Sequence, residues 1–304
     1  MTFTTSLKEE ISKNECNLIE AQFELEGFFR CLAKINNEIT LTTENAAVAR
    51  KIYKDIKIVF GIKPSVTVRV QKRFRVKQIY ILTIRDNLEY IKNMLNLNSR
   101  EIVVDGIDEK IAFLQGAFLA VGNISNPQTS GYHLEFICSE EDTAQLIQNM
   151  LLEFNFNAKI IKRGYKNVVY IKSSENISDL IKLFKATNSL FFFEDIRIYR
   201  DHKNMVNRLN NCELSNQTKS IQTGIKQIDD INYLKENNLM DILDDNTRIV
   251  IEAREKFPEL SLAELANVIS MEYNYLIGKS GVNHHFIKIS KMVKRHKENN
   301  EYKS

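Results

Sequence analysis

The spacing of apolar residues changes repeatedly along this chain, and each change predicts a different element. Residues 24–35 and 113–124 are apolar at the spacing of a buried helix. Each stretch is followed by alternating apolar and polar residues, at 39–43 and 133–138, which is the pattern of a half-buried strand. Helix and hairpin elements therefore recur in the same order.

Both helical stretches contain one glycine with a small residue four positions later, Gly27 with Cys31 and Gly116 with Ala120. Residues at this spacing lie on one helix face. Because glycine inside a helix costs about 1 kcal/mol relative to alanine, two such glycines indicate a close contact between the helices. The alternative is two unrelated core helices that each tolerate a glycine.

An offset of 89 residues superposes Gly27 on Gly116, and the similarity extends over most of residues 18–190. In each copy we predict a helix, a hairpin, a second helix opened by a hydroxyl cap (Thr43 or Ser139), a second hairpin and a short closing helix. A polar lead-in helix precedes the first copy. A unit of this length that occurs only twice predicts a domain with pseudo-two-fold symmetry rather than a solenoid.

The segment after the repeats changes character twice. Residues 191–199 are apolar and aromatic, which favours a strand or a buried turn with the three phenylalanines in the core. Residues 202–234 form a polar helical pattern with an interruption expected near 214–217. Arg208 of this bridging helix is placed to contact a phosphate. A solvated linker without contacts is the alternative.

Residues 239–297 predict three helices. The first ends before Pro258, the second begins with a capping box formed by Ser261 and Glu264, and the third is capped by Ser280. The apolar residues of the third helix share one face, namely Val282, Phe286, Ile289 and Val293. Three helices in this order, the last one basic, are typical of a helix-turn-helix module.

The polar face of the third helix carries the predicted DNA contacts. Side chains near its start are expected to reach base edges, and those further along are expected to meet phosphates. The candidates are Ser280, Asn283, His284 and His285 near the start, and then Lys288, Lys291, Lys294 and Arg295. The alternative is a basic terminal helix that reads no sequence, because the connector before it exceeds the usual roughly 3–4 residues.

Charge is segregated, although the whole chain of 304 residues carries only +3. Residues 63–77 carry +6, residues 158–172 carry +5 and residues 278–304 carry +5, so the remainder is strongly acidic. Clustered cations favour a polyanionic partner. In the two hairpins, the residues predicted to grip phosphate are Lys72, Arg73, Arg75, Lys162 and Arg163.

Other chemistries find little support in the sequence. The four cysteines show no metal spacing, and Cys31 and Cys138 lie in apolar stretches, as expected for buried thiols. We find no nucleotide-binding loop, no Ser/His/acid constellation and no apolar run of roughly 20 residues. We therefore expect no cofactor, no metal, no small-molecule substrate and no membrane contact, in a reducing cytoplasm.

The doubled helix–hairpin unit resembles the LAGLIDADG homing-endonuclease fold, in which two motif helices pack at a pseudo-two-fold axis below a DNA-binding saddle. In that family a metal-binding acid stands five residues after each motif glycine, a position held here by Leu32 and Val121. Neither side chain binds a divalent cation, which needs oxygen ligands. Glu24, Glu26 and Glu38 lie nearby in the first copy. The resemblance implies a DNA-binding scaffold that has lost cleavage.

The whole chain resembles the WhiA family, in which a degenerate LAGLIDADG pair precedes a C-terminal helix-turn-helix. The shared segments are 43–50, 116–120, 132–135, 207–209, 211–213 and 279–284. The resemblance implies a DNA-binding transcriptional regulator linked to sporulation in spore formers, and to division and chromosome segregation in other Gram-positive bacteria. The chain departs from the family at His285 and Ile287, where basic residues are usual.

We therefore expect an α+β fold in which a LAGLIDADG-like saddle is joined by a helical linker to an all-α domain. The regions are a first repeat at 1–100, a second repeat at 101–200, the linker at 201–238 and the helix-turn-helix at 239–304. The function expected is non-catalytic, sequence-selective binding of double-stranded DNA at the nucleoid, with division or transcription proteins as candidate partners. The alternatives are a protein-interaction scaffold of the division machinery and, more remotely, a residual endonuclease.

Overall fold

The computed structural model describes residues 2–71, 77–99 and 104–301. The chain forms two compact units, Met1–Asp201 and His202–Ser304. The predicted α+β class is confirmed, since two antiparallel sheets lie in the first unit and the described part of the second unit is helical. Among the described residues, no helix combines the length and the apolar character that a membrane span requires.

The first repeat follows the predicted order after α1 (Phe3–Ile11). Its elements are α2 (Leu18–Leu32), β1 (Lys34–Ile35), β2 (Ile39–Thr43), α3 (Ala46–Phe60), β3 (Ser65–Gln71), β4 (Lys77–Ile84) and α4 (Leu88–Met94). The strands form an antiparallel sheet in the order β1-β2-β4-β3. Leu41 pairs with Leu82 on the buried face of this sheet, as the alternation of the sequence predicts.

The second repeat has the same arrangement. Its elements are α5 (Ile107–Val121), β5 (Gly122–Ile124), β6 (Leu134–Cys138), α6 (Glu141–Glu153), β7 (Lys159–Arg163), β8 (Lys166–Ile171) and α7 (Ser174–Leu183). The strand order β5-β6-β8-β7 reproduces that of the first sheet. Helices of both repeats and the buried faces of both sheets share one hydrophobic core, which includes the predicted buried thiols Cys31 and Cys138.

Helices α2 and α5 cross at their glycines. A Cβ atom on Gly27 would lie 2.1 Å from the carbonyl oxygen of Phe113, and one on Gly116 would lie 1.8 Å from that of Glu24. The two contacts are related by the same 89-residue offset, because Glu24 and Phe113 each stand three residues before a motif glycine. The predicted close contact is confirmed, and it requires a residue without a side chain at both positions.

The predicted hydroxyl caps of the second helix in each repeat are wrong. In the first repeat the cap of α3 is Asn45, whose amide oxygen accepts from two backbone N–H groups at 2.9 and 3.2 Å. Thr43 is still part of strand β2, so it stands too early to cap the helix. In the second repeat, α6 begins after Glu140 without a side-chain cap, so Ser139 is not a cap either.

Helix α1 is more than the polar lead-in helix that the sequence suggested. Phe3, Leu7 and Ile11 are buried in the common core. On its other side, the Glu10 carboxylate accepts from the backbone N–H groups of Asn188 (2.7 Å) and Ser189 (2.9 Å) at the start of the next helix. A carboxylate at a helix N-terminus satisfies otherwise unpaired donors and favours the helix dipole.

The strand or buried turn expected at 191–199 is wrong, because these residues lie in helix α8 (Thr187–Glu236). Phe193 is 1% exposed and belongs to the core, whereas Phe191 is 64% exposed and Phe192 is 39% exposed. The aromatic run therefore has one buried side and one solvated side, as a helix requires. The density of aromatic residues concealed this periodicity in the sequence.

The interruption expected near 214–217 is also absent, since α8 continues without a break to Glu236. No glycine or proline occurs between its first residue and Gly224. The polar side chains of this stretch do not compete with the helical hydrogen bonds. The Thr218 hydroxyl, for example, donates to the Leu214 carbonyl oxygen one turn earlier at 2.8 Å.

The second unit packs the end of α8 with a short 3₁₀ turn and three helices, Met240–Ile242, α9 (Asp245–Lys256), α10 (Leu262–Glu272) and α11 (Lys279–Glu301). The predicted capping box is confirmed by reciprocal hydrogen bonds between Ser261 and Glu264. Ser280 is not the cap of α11, because the helix already begins at Lys279 and the Val282 N–H donates to the Gly278 carbonyl oxygen. The predicted apolar stripe of α11 is buried.

A buried cluster of charges, the Lys51 cluster, joins α3 to α2 and to the segment before α2. The Lys51 Nζ lies 3.1 Å from Glu24 Oε2, 3.1 Å from Asp55 Oδ2 and 3.0 Å from Cys16 Sγ. Burial raises the pKa of Glu24 to about 7, although the Lys51 ammonium lowers it. The ammonium group of Lys51 therefore offsets the free-energy cost of burying the carboxyl groups of Glu24 and Asp55.

Replacing Gly116 by alanine should destabilise the first unit by at least about 3 kcal/mol, because backbone atoms of Glu24 cannot move aside as a flexible side chain would. Thermal and urea unfolding of the full chain measure this. Gly131→Ala is the matched control, since no atom lies within 4 Å of a Cβ at that position. Equal stability of the two variants would contradict the assigned helix crossing.

Replacing Lys51 by methionine should cost about 3–5 kcal/mol, because it leaves two buried carboxyl groups without their cation. The folded-state pKa of Glu24 is already raised and should rise further, so the loss should be smallest near pH 4.5 and should grow as pH rises through about 7. Lys54→Met, at an exposed position of the same helix, is the control. Urea unfolding at several pH values gives the difference, and a loss that does not grow with pH would contradict this role.

Candidate nucleic-acid interface

The ends of the two motif helices lack the acids that a metal-dependent nuclease needs. Leu32 and Val121 are the last residues of α2 and α5, at equivalent positions of the two repeats. Two of the acids near the first position are already paired, Glu26 with Arg30 at 3.3 Å and Glu38 with Arg85 at 3.0 Å. Aliphatic side chains and paired carboxylates give a divalent ion no ligand set there.

Within the described residues, the one group that could supply three ligands to a metal is Cys16, Glu24 and Asp55. These are the members of the Lys51 cluster, whose ammonium lies within 3.1 Å of each of them. Glu24 also stands eight residues before Leu32, which is about 12 Å along an α-helix. The cluster is therefore an internally neutralised part of the core and is separate from the motif-helix ends.

Helix α11 presents a cationic face to solvent. Its buried stripe packs against α9 and α10, and the opposite side carries His284, Lys291 and Arg295, all of them exposed. Asn283 and Ser280 are exposed near the helix start, and Lys294 is exposed with its Nζ 3.9 Å from Glu298. Arg208, in the part of α8 that belongs to the second unit, is exposed too.

Two other predicted contacts of α11 are held by α9. The Lys288 Nζ lies 2.7 Å from Asp244 Oδ1, and the His285 Nδ1 lies 2.8 Å from Thr247 Oγ1. Hydrogen bonds from Lys288 and Thr247 hold the pKa of Asp244 well below its usual range, while burial lowers the pKa of His285. Of the face predicted from the sequence, Lys288 and His285 are thus held by Asp244 and Thr247 at the start of α9, whereas Lys291 and Arg295 are exposed.

The helix-turn-helix region contains a buried arginine, not identified from the sequence, that contacts both the α9–α10 loop and α11. Arg254 is 1% exposed and donates to the carbonyl oxygens of Phe257 (3.3 Å), Pro258 (3.3 Å) and Leu260 (2.6 Å). Its guanidinium also lies over the Phe286 ring at 5.6 Å, which links the loop before α10 to α11. In the sequence, the burial of Arg254 was indicated only by its position on the apolar side of α9.

The connector between α10 and α11 runs over residues 273–278 and is longer than that of a compact helix-turn-helix. Ser270 fixes it, because its hydroxyl donates to Ala266 O at 2.9 Å and accepts from the Ile277 N–H at 3.4 Å. These two hydrogen bonds therefore fix the connector just before α11 begins, although it is long.

In the first unit, Lys162 and Arg163 lie at the tip of the β7–β8 hairpin and are exposed. Arg163 also reaches Glu135 Oε2 at 3.5 Å. The three predicted cations of the other hairpin, Lys72, Arg73 and Arg75, lie outside the described residues. The structure thus places one of the two predicted basic hairpins on the surface.

The faces of the two sheets that point away from the helices, called the outer faces, differ in chemistry. The first presents the hydroxyl groups of Thr40, Thr42, Thr67 and Thr83, together with Ile79, Ile81 and the cations Lys34 and Arg69. The second is built around a buried carboxylate that sequence reasoning missed, and it includes His133, Glu135, Arg163 and Tyr170. Burial alone would raise the pKa of Glu135, but hydrogen bonds from His133 and Asn123 hold it below its usual value.

Three family models match consecutive parts of the chain. The WhiA N-terminal LAGLIDADG-like domain matches residues 19–98, the WhiA LAGLIDADG-like domain matches residues 110–203, and the WhiA C-terminal HTH domain matches residues 206–293. The matches thus cover both repeats, the linker and the helices that carry the candidate interface.

Relatives match over nearly the whole length. The chain is 35% identical to the "Probable cell division protein WhiA" of Thermoanaerobacter sp. (strain X514), covering 98% of this chain and 99% of the relative. It is 33% identical to that of Staphylococcus haemolyticus, with 96% of both chains covered. A crystal structure of full-length DUF199/WhiA from Thermatoga maritima covers 97% of this chain and 99% of its own, with 26% identity and a TM-score of 0.58. The chain belongs to the WhiA family.

Proposed function

We propose that this protein is a non-catalytic transcriptional regulator that binds double-stranded DNA sequence-selectively, with a role in cell division and chromosome segregation, and in sporulation where the organism forms spores. The observation that carries the proposal is the surface of α11, where exposed cations stand opposite a fully buried apolar stripe. A rigid helix with this division of faces suits the major groove. The names of the relatives support the role in division, and nucleoid localisation follows from the proposed DNA binding.

The residues proposed to touch DNA fall into two groups. Near the start of α11, Ser280, Asn283, His284 and His285 face base edges, while Lys288, Lys291, Lys294, Arg295 and Arg208 meet phosphates. In the first unit, Lys162 and Arg163 at the tip of the β7–β8 hairpin add contacts to phosphate. The contacts predicted from the sequence for Lys72, Arg73 and Arg75, which lie outside the described residues, are part of the same proposal.

Replacing Lys291 and Arg295 together by glutamine should weaken binding of the full chain to its preferred duplex at least about tenfold, and should lower the salt slope by roughly 2 because two phosphate contacts are lost. Fluorescence anisotropy over a series of salt concentrations measures both quantities. The control replaces Lys57 and Lys182, exposed cations of the first unit, by glutamine. If the double variant binds like the control, α11 is not the DNA-binding helix.

The hairpin contribution is tested separately with Lys162 and Arg163 replaced by glutamine. If the hairpin meets phosphate, affinity and salt slope should both fall while the preferred sequence stays unchanged. A variant that binds DNA normally but disturbs division in cells would instead favour a protein-binding role for this surface.

A further inference from the structure

The side chain of His285 is fixed by a chain of hydrogen bonds from α9. Its Nδ1 lies 2.8 Å from the Thr247 Oγ1, and the Thr247 hydroxyl donates to Asp244 Oδ1 at 2.6 Å. The Lys288 Nζ reaches the same oxygen of Asp244 at 2.7 Å. Asp244 is thus ionised and hydrogen-bonded from two sides, and it determines where the Thr247 proton points.

The positions of the protons follow from the number of donors. A threonine hydroxyl has one proton, and an ionised carboxylate only accepts. Because the Thr247 proton is directed at Asp244, the Thr247 oxygen can only accept from His285, so Nδ1 carries a proton. In a neutral imidazole with this tautomer, Nε2 has a free lone pair and is a hydrogen-bond acceptor.

The surroundings favour the neutral ring. Burial lowers the pKa of His285, and the nearby charges of Lys288 and His284 lower it further, while Asp244 acts in the opposite direction. The side chain remains partly exposed, and no described residue forms a hydrogen bond with its Nε2. The ring therefore offers a fixed acceptor at the seventh residue of α11.

We propose that His285 reads DNA as an acceptor, with Nε2 selecting adenine or cytosine over guanine or thymine at one strand position, because only N6 of adenine and N4 of cytosine donate in the major groove. This proposal rests on the proposed function, in which the start of α11 faces base edges. Arginine or lysine at such a position donates and favours guanine. A histidine with a fixed tautomer therefore reverses the direction of the hydrogen bond that a basic residue would make.

The tautomer itself can be measured without DNA. The full chain contains five histidines, so histidine-selective ¹⁵N labelling with long-range ¹H–¹⁵N correlation resolves each ring, and His285→Gln identifies the signals of His285. At neutral pH or above we expect a pyrrole-type Nδ1 and a pyridine-type Nε2. Thr247→Val should shift the ring towards the other tautomer, and Thr247→Ser, which keeps the hydroxyl, should not. A pyridine-type Nδ1 in the native chain would overturn the proposal.

The base preference is tested on the duplex that the native chain selects from a random pool. Adenines and cytosines of that duplex are replaced one at a time by analogues without the exocyclic amino group. At one position we expect a loss of roughly fivefold to tenfold with the native chain, the size of one hydrogen bond, and no loss with His285→Ala. Protonation converts Nε2 to a donor, so the preference at that position should move towards guanine at acidic pH. Because the pKa of His285 is lowered by burial, this change should occur at a lower pH than for an ordinary histidine.

The outcomes separate the two proposals. In one outcome the native chain selects a sequence and yet loses the same affinity as His285→Ala on each analogue duplex. That result would overturn the proposal that His285 is an acceptor, but it would leave the DNA-binding function intact. Absence of any selected sequence would remove the proposed function and the acceptor reading with it. A selected guanine at the position coupled to His285, at neutral pH, would show a donor and would likewise overturn the proposal.

Discussion

The first unit depends on the contact of each motif glycine with a backbone carbonyl oxygen of the other motif helix. Because Gly27 meets Phe113 and Gly116 meets Glu24, the two contacts fix both the position of the crossing and its two-fold relation. The two helices cannot slide along each other, because a shift of one residue would place a side chain where only the hydrogen atom of a glycine fits. The two sheets begin directly after these helices, so the crossing also sets where both outer faces lie.

The distribution of charge complements this arrangement. In the helix pair and its surroundings, acids are neutralised from within, Glu24 by Lys51 and Glu26 by Arg30. The positions matching the nuclease acids are aliphatic. The described exposed cations of the candidate interface lie elsewhere, on a hairpin tip, on α11 and, with Arg208, on α8. The chain thus has the crossed-helix geometry of its fold, and the buried acids near the crossing are paired with neighbouring cations.

The sequence predicted the features that follow from local pattern. The offset of 89 residues gave the repeat, the glycine pair gave the helix crossing, and the capping box at Ser261 gave the start of α10. Some local signals were wrong too, namely the caps expected at Thr43, Ser139 and Ser280 and the interruption expected near 214–217. The sequence also failed where a residue distant in the chain determines the structure. Glu10 caps α8 from a helix about 180 residues earlier in the chain, so the aromatic run that follows could not be recognised as helical. The burial of Arg254 and the orientation of His285 likewise depend on contacts between helices, which periodicity does not report.

The unequal outer faces of the two sheets have a consequence for any ligand that spans them. The backbone obeys a pseudo-two-fold relation, but threonine hydroxyls with Lys34 and Arg69 line one half, while the other half is built around the buried carboxylate of Glu135. A ligand with two different halves would therefore bind with a different energy when it is turned end for end, whereas a self-complementary ligand is unchanged by that rotation. A surface of this kind distinguishes the two orientations of an asymmetric ligand, although the backbone beneath it is nearly symmetric.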